Sequence, residues 1–175
     1  MKHTVKFAAL VLGLASVAGA HAQGYVGASV SRVNVDIDGL SNAKPSAISL
    51  KLGSQSHPNF AVEVRLGTGL SDDSITGGDL KLNNYYGLYA KGILPVSNEF
   101  AAYALGGYTR GKVTLSSPTG SASDTDGNLS YGAGVDFSLS KNTALNLEWA
   151  RLFKGSVSSR AYKVDALSFG VNYRF

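Results

Sequence analysis

Few residues beyond position 22 are of the types that carry out acid–base or nucleophilic catalysis. The chain has no cysteine, which excludes thiolate chemistry, and His57 is the one histidine beyond residue 22. A hydrolytic site needs a nucleophile or an activated water beside a base, usually a histidine supported by a carboxylate or a hydroxyl. His57 lies instead in the turn-like run His57-Pro58-Asn59, where a solvated side chain is the simpler interpretation. We therefore predict no catalytic residue and no enzymatic activity.

Aspartates in three polar stretches are the candidates for metal binding. They are Asp36, Asp38, Asp72, Asp73, Asp79, Asp124 and Asp126. The runs 36–39 and 124–128 resemble fragments of calcium-binding loops, but neither has the full spacing of such a loop with its distal glutamate. Acidic turn residues in water explain them better. We therefore predict no metal site and no cofactor.

The first 22 residues have the three-part pattern of a secretory signal peptide. Lys2, His3 and Lys6 form a basic start, residues 7–18 contain a short apolar run, and residues 20–22 read Ala-His-Ala before the predicted cleavage point. The apolar run is too short for a spanning helix, and no later stretch reaches the about 20 apolar residues that such a helix needs. The protein is thus expected to be exported.

The predicted mature chain is a single domain, residues 23–175, with a small net charge. Removing Lys2 and Lys6 with the signal peptide leaves 14 basic residues against 12 acidic ones. The basic isoelectric point of the full chain is therefore weak support for nucleic-acid binding, and an exported protein would not meet nucleic acid. No nucleic-acid partner is predicted.

The elements that must position any site are strands. In the last segment, Leu167, Phe169, Val171, Tyr173 and Phe175 alternate with Ser168, Gly170, Asn172 and Arg174. This period of two places one set on each face of a strand. Eight segments alternate in this way, at about residues 24–33, 46–53, 60–69, 84–94, 100–113, 129–139, 145–153 and 164–175.

The connections between these segments alternate strictly between short and long. The short ones, at 54–59, 95–99 and 140–143, are rich in turn residues. The long ones lie near 34–45, 70–83, 114–128 and 154–163. Short periplasmic turns and long external loops are typical of a transmembrane barrel with both ends in the periplasm. We predict an all-β, eight-stranded antiparallel up-and-down barrel in the outer membrane.

A soluble barrel of the lipocalin type would show the same alternation with its apolar face inside, so the polar set must decide. That set is mostly Gly, Ser, Ala and Asn, which suit the narrow lumen of eight strands. Its charges nearly balance, with Lys51, Arg65, Lys91 and Arg174 against Glu63, Asp136 and Glu148. Because buried charges need partners, these residues are predicted to form ion pairs inside the barrel.

Aromatic residues of the apolar set lie towards both ends of the strands, as in the two girdles of a membrane barrel. The predicted lipid-facing aromatics are Phe60, Tyr103, Tyr173 and Phe175 near the short turns, and Tyr86, Tyr131, Trp149 and Phe153 elsewhere on that face. The fifth segment is the least clear, because Gly and Ala occupy both registers. There, a lumen-facing Arg110 would turn Tyr103 and Leu105 outwards.

Several motifs resemble those of the small outer-membrane β-barrel family that includes the transmembrane domain of OmpA and the opacity and attachment-invasion proteins. They are Tyr86-Gly87-Leu88-Tyr89-Ala90-Lys91-Gly92, Tyr103-Ala104-Leu105-Gly106-Gly107-Tyr108, Tyr131-Gly132-Ala133-Gly134-Val135 and the terminal Tyr173-Arg174-Phe175. The resemblance implies that the barrel-assembly machinery reads the C-terminal strand through Phe175. It also implies that His57, near a periplasmic turn, is at the wrong end for the lipid A enzymes found among small barrels.

The fourth long connection is basic, unlike the other three. It contains Lys154, Arg160 and Lys163, and Arg151 lies just before it. These cations are candidates to bind the phosphates of lipopolysaccharide, because Arg and phosphate commonly pair. A solvated basic loop is the alternative explanation.

The predicted function is an integral outer-membrane barrel with a structural or surface-interaction role and a lumen plugged by its charged residues. A minor porin-like channel and a soluble periplasmic ligand-binding barrel are the alternatives. Outer-membrane lipid and an unknown extracellular partner are the expected contacts, although the polar loops contain no recognisable binding motif.

Overall fold

The computed structural model describes residues 23–37, 44–71, 73–75, 78–117, 120–157 and 160–175. Its strands are β1 Gln23–Ile37, β2 Ser46–His57, β3 Phe60–Gly69, β4 Asp73–Ile75, β5 Gly78–Pro95, β6 Phe100–Ser117, β7 Gly120–Ser138, β8 Thr143–Val157 and β9 Arg160–Arg174. No helix in these ranges has the length and apolar character to cross a membrane. The predicted signal peptide, residues 1–22, lies outside the described residues.

Eight of the strands close into an antiparallel barrel, as predicted. Each long strand pairs with the next, β3 pairs with β5, and β1 pairs with β9 to complete the ring. The closing register sets Tyr25 opposite Arg174 and Ile37 opposite Tyr162. The three-residue β4 pairs with the start of β5. The sequence did not predict β4.

The strands continue into segments that the sequence assigned to long loops. The β6–β7 ladder continues to Ser117 opposite Gly120, and the β8–β9 ladder to Val157 opposite Arg160. Polar residues can continue an antiparallel ladder where no core requires apolar alternation, so the hydropathy pattern ends before the hydrogen bonding does. We call this end of the barrel the loop end, and the end with the connections 58–59, 96–99 and 139–142 the turn end.

The two faces of the barrel wall are inverted relative to a protein in water. Outward-facing Leu50 and Phe169 are 58% and 53% exposed, whereas lumen-facing Lys51 and Glu63 are each 2% exposed. A soluble barrel would bury its apolar face in the lumen. An apolar outer surface around a polar, charged interior instead matches a barrel surrounded by lipid.

The register of β6 is opposite to the one predicted. Tyr103 and Leu105 are buried in the lumen, each 5% exposed, while Arg110 points outwards and is exposed. The prediction that Tyr103 is a lipid-facing aromatic is therefore wrong. Because Gly and Ala occupy both faces of this strand, the prediction of its register relied on Arg110 alone. Arg110 lies towards the loop end, where an outward-facing cation can reach the membrane–water interface.

A β-bulge interrupts β8 towards the loop end, between Arg151 and Phe153. Arg151 pairs with Asp165, but the next paired residue is Phe153, opposite Val164. The extra residue, Leu152, is buried in the lumen. Such a bulge shifts the alternation by one position. The side chain of Phe153, predicted to face lipid, lies outside the described residues.

Candidate functional site

The lumen is organised around Arg65 on β3. Its Nε donates to Glu63 Oε1 on the same strand. Its Nη1 and Nη2 donate to the two carboxylate oxygens of Glu148 on β8, at 2.5 Å and 2.8 Å. All three residues are buried. A guanidinium that binds one carboxylate through two parallel bonds has both charge and geometry matched, which is the strong form of this interaction.

Two tyrosine hydroxyls complete the coordination of these carboxylates. Tyr25 Oη donates to Glu63 Oε2 at 2.7 Å, and Tyr103 Oη donates to Glu148 Oε2 at 2.9 Å. The Arg65 guanidinium also lies 4.6 Å from the centre of the Tyr89 ring. Each buried carboxylate is thus satisfied by a cation and a phenol, as burial of charge requires.

These contacts tie together strands that are not neighbours. In the ring order β1-β2-β3-β5-β6-β7-β8-β9, three strands separate β3 from β8 on either side, so they lie diametrically opposite. The Arg65–Glu148 pair therefore spans the lumen. Tyr25 adds β1 to this group, and Tyr103 adds β6.

Two further lysines enter the lumen, Lys51 directly opposite Arg65 on the neighbouring strand and Lys91 nearer the turn end. Lys91 Nζ donates to Asp136 Oδ2 at 2.8 Å and sits 3.5 Å from the centre of the Tyr103 ring. Lys51 Nζ donates to Asn146 Oδ1 at 3.1 Å. The buried predicted charges balance, with Lys51, Arg65 and Lys91 against Glu63, Asp136 and Glu148.

Arg174 does not join the network. It is partly exposed and lines the opening of the lumen at the turn end. No ion pair of Arg174 is found among the described residues, so the predicted pairing of this residue inside the barrel is wrong. Its position at the barrel rim leaves its charge partly exposed to solvent, so it needs no buried partner.

Towards the loop end, the lumen becomes neutral and then apolar. The Ser29–Ser49 and Ser31–Ser168 hydroxyl pairs each lie at 2.8 Å. Beyond them lies a cluster of buried apolar side chains, formed by Val33, Val35, Ala47, Tyr85, Ala150, Leu152, Val164 and Ala166. From the turn end to the loop end, the described lumen is thus lined in turn by charged, hydroxyl and apolar side chains.

At the turn end, the lumen opens into a cavity of about 250 Å³. Lys91, Asp136 and Arg174 contribute its charged groups, and Tyr25 also lines it. Its amide groups come from Gln23, Gln55, Asn98 and Asn172. No group of three potential metal ligands occurs among the residues that the structure describes. The charged and amide lining of the cavity suits water or small polar species.

The tyrosine hydroxyls and Asn146 belong to the network, although the sequence did not predict them as members. Tyr25 was detectable, because the outward-facing Val26 and Val30 in the same strand place Tyr25 on the lumen side. The role of Asn146 was not detectable. Nothing in the sequence distinguishes an amide that binds Lys51 from one that only occupies space on the polar face.

On the outer surface, the structure places Phe60, Tyr86, Tyr131, Trp149, Tyr173 and Phe175 facing outwards. Phe100, Tyr108 and Phe137 face outwards as well, and were not predicted. Among these, Tyr131 and Trp149 pack edge to face, with ring centres 6.2 Å apart. The aromatics therefore form a lipid-compatible outer surface at both ends of the strands.

Arg151 is an outward-facing residue with a full set of partners. Its Nε and Nη2 donate to Asp165 at 2.8 Å and 3.0 Å, and Nη1 donates to Tyr131 Oη at 3.3 Å. Lys154 and Lys163 are exposed and directly opposite each other on β8 and β9. The side chain of Arg160 lies outside the described residues. Of the predicted lipopolysaccharide contacts, the two lysines are therefore the more available cations.

His57 lies at the turn end and is exposed. Its Nδ1 accepts a hydrogen bond from the backbone N–H of Asn59 at 3.2 Å. Through this hydrogen bond the imidazole stabilises the turn. In the part of the chain that the structure describes, no side-chain carboxylate is hydrogen-bonded to it.

The apolar outer surface and the charged lumen are consistent with the family to which the chain is similar. The outer membrane protein beta-barrel domain family matches residues 7–175. The chain belongs to this family. It is an outer-membrane protein, in agreement with the predicted location.

Similar proteins are small outer-membrane barrels. Outer membrane protein X of Escherichia coli K12 is 32% identical over 103 residues, which cover 57% of this chain and 56% of that protein. The match thus spans little more than half the length of this curated relative.

Two solved structures show the same fold. The attachment invasion locus protein Ail of Yersinia pestis superposes with a TM-score of 0.67 at 22% identity, covering 89% of this chain and 99% of that one. Neisserial surface protein A superposes with a TM-score of 0.69 at 19% identity, covering 87% and 97%.

Proposed function

We propose that this protein is a non-conducting outer-membrane barrel with a structural or surface-interaction role. The observation that supports a plugged lumen is the Arg65–Glu148 pair, which spans the barrel and is followed by the apolar cluster at the loop end. Eight strands enclose little more space than their own side chains occupy. A permeating ion would have to displace both barriers.

Conductance across a planar bilayer tests the plug. The purified protein is expected to produce no discrete current steps, while a known porin in the same bilayer serves as the positive control. Reproducible single-channel steps from the unmodified protein would favour the minor channel instead.

The proposed surface interaction uses cations at the loop end. Lys154 and Lys163 lie directly opposite each other, an arrangement of like charges that is destabilising, although Asp36 lies opposite Lys163 on its other side. Ail of Yersinia pestis was solved in complex with the heparin analogue sucrose octasulfate, a polyanion. We infer that the anionic partner of this chain is the phosphate of lipopolysaccharide, which surrounds an outer-membrane barrel.

Lipopolysaccharide binding by the double variant Lys154→Gln/Lys163→Gln tests this inference. The variant is expected to bind several-fold more weakly than the unmodified protein. Lys141→Gln, an exposed lysine at the turn end, is the matched control and should leave binding unchanged. Equal binding by all three proteins would leave the lysines as solvated surface charges.

We further infer that residues 1–22 are a cleaved signal and that Phe175 is an assembly signal for the barrel-assembly machinery. Phe175 faces outwards at the turn end, and its backbone N–H bonds to Gly24 O where β9 meets β1. Phe175→Ala should slow insertion in cells without changing stability after refolding in detergent. Mass spectrometry of the membrane-inserted protein should show Gln23 at the N-terminus.

We also infer that the barrel is not an enzyme, because the turn contact of His57 supplies neither a nucleophile nor a carboxylate partner. The protein should leave lipid A unmodified when it is incubated with lipopolysaccharide. A lipid A product that disappears with His57→Ala would refute this.

A further inference from the structure

In and beside the lining of the turn-end cavity, three buried polar atoms are left without partners by the ion-pair network. They are Asp136 Oδ1, Asn146 Nδ2 and Asn172 Oδ1. All three residues are more than nine-tenths buried, and Asp136 and Asn172 line the cavity. A buried polar atom without a hydrogen bond costs about 1–3 kcal/mol, so these atoms are expected to meet an occupant of the cavity.

Two of these atoms are complementary and belong to directly paired residues. Asp136 and Asn146 are direct partners on β7 and β8, and their side chains share the lumen face. Cβ atoms in such a pair are about 4.5–5.5 Å apart. Asn146 Oδ1 is engaged by Lys51 and lies on the β9 side, 3.0 Å from the Cβ position of Gly170. The free Nδ2 of Asn146 is therefore directed towards the strand that carries Asp136.

The chemistry of the two atoms selects the occupant. Asn146 Nδ2 donates and Asp136 Oδ1 accepts, so the bridging species must both accept and donate a hydrogen bond. A metal cation or an ammonium group would leave the Asn146 donor unmet, and a simple anion would leave the Asp136 oxygen unmet. Water satisfies both, and a further water can donate to Asn172 Oδ1.

We propose that the turn-end cavity is a hydrated vestibule, closed towards the loop end, and that an ordered water bridges Asp136 in its lining to Asn146 on the neighbouring strand. At about 30 Å³ per molecule, the cavity of about 250 Å³ holds several waters. The Arg65–Glu148 pair and the hydroxyl pairs beyond it end the hydrated region. Water thus reaches the lumen from one side of the barrel.

Thiol accessibility tests the one-sided vestibule, and the chain has no native cysteine to interfere. Ser138 lines the cavity, while Ser49 lies beyond the charged layer and is bonded to Ser29. In refolded protein, a small water-soluble methanethiosulfonate reagent should modify Ser138→Cys at least about tenfold faster than Ser49→Cys, because a closed site reacts only through local opening. Mass spectrometry gives both rates, and circular dichroism checks that each variant is folded.

The other possible labelling results would refute either the vestibule or its closure towards the loop end. An unreactive Ser138→Cys in a folded barrel would refute the vestibule. Equal, fast labelling of both positions would refute the closure and, with it, the plugged lumen. Fast labelling at Ser138→Cys alone leaves both standing.

A crystal structure of the full chain, grown with rubidium bromide, tests the bridging water. Electron density for a water within hydrogen-bonding distance of both Asp136 Oδ1 and Asn146 Nδ2 is expected, with no anomalous peak there. Anomalous scattering from rubidium or bromide at this point, or a direct Asp136–Asn146 hydrogen bond, would refute the water site.

Discussion

Arg65 and Glu148, 83 residues apart in the chain, meet across the lumen through two hydrogen bonds of 2.5 Å and 2.8 Å. They join opposite walls of the barrel, so this pair acts on the closed ring rather than on one strand pair. Its energetic role can be measured by removing either partner.

Glu148→Gln is expected to lower the free energy of unfolding by about 3–5 kcal/mol, because it leaves the buried cations in excess. Urea unfolding in detergent micelles measures the change. Glu99→Gln, at an exposed turn, is the control and should change stability by less than about 0.5 kcal/mol. Similar, small effects of both substitutions would contradict the role of the pair.

Tyr103→Phe tests the lumen position of a tyrosine that the sequence placed in the lipid. Loss of its hydrogen bond to the Glu148 carboxylate should cost about 1.5–3 kcal/mol. Tyr173→Phe, on the outward face, should be close to neutral in the same unfolding experiment. If Tyr173→Phe were the more damaging change, the β6 register described above would be wrong.

Neighbouring glycines on β6 provide a test of packing on the two faces. A Cβ on Gly107 would lie 2.1 Å from Leu88 O, whereas a Cβ on Gly106 would meet nothing within 4 Å. Gly107→Ala is therefore expected to destabilise the barrel by about 1–3 kcal/mol or to prevent refolding. Gly106→Ala should refold with the yield of the unmodified protein. The folded fraction after dilution from urea into detergent measures both.

The Arg151–Asp165 pair lies on the outer surface and is about a quarter exposed. Asp165→Asn should cost no more than about 1 kcal/mol, because such exposed pairs are weak. Raising the salt concentration should reduce the difference between this variant and the unmodified protein. A loss as large as that of Glu148→Gln, insensitive to salt, would show that this pair is desolvated.

Some of the architecture is local information and was readable from the chain. Side chains alternate across a strand because of backbone geometry, so Leu167 to Phe175 already separated a lipid face from a lumen face. The polar face consists of small residues and nearly balanced charges, among them Glu63, Arg65 and Asp136, and this composition favoured a membrane barrel over a soluble one. Both conclusions agree with the burial of these residues.

Other features had no local signal. In β6, Gly and Ala on both faces removed the hydrophobic contrast, and the side of Tyr103 followed only from its neighbours β5 and β7. In β8, the bulge after Arg151 shifts the register between Arg151, opposite Asp165, and Phe153, opposite Val164. Sequence periodicity assumes an uninterrupted strand, so it cannot locate such a shift.

The sequence alone thus determined which residues enter the lumen for most of the chain, because strand geometry assigns each side chain to a face. Only the tertiary structure decided which of them meet. Whether Arg65 binds Glu148 or Asp136, and whether Arg174 finds a partner, depends on the stagger of strands around the closed barrel. That stagger is a property of the ring as a whole, and it brings β3 and β8 face to face.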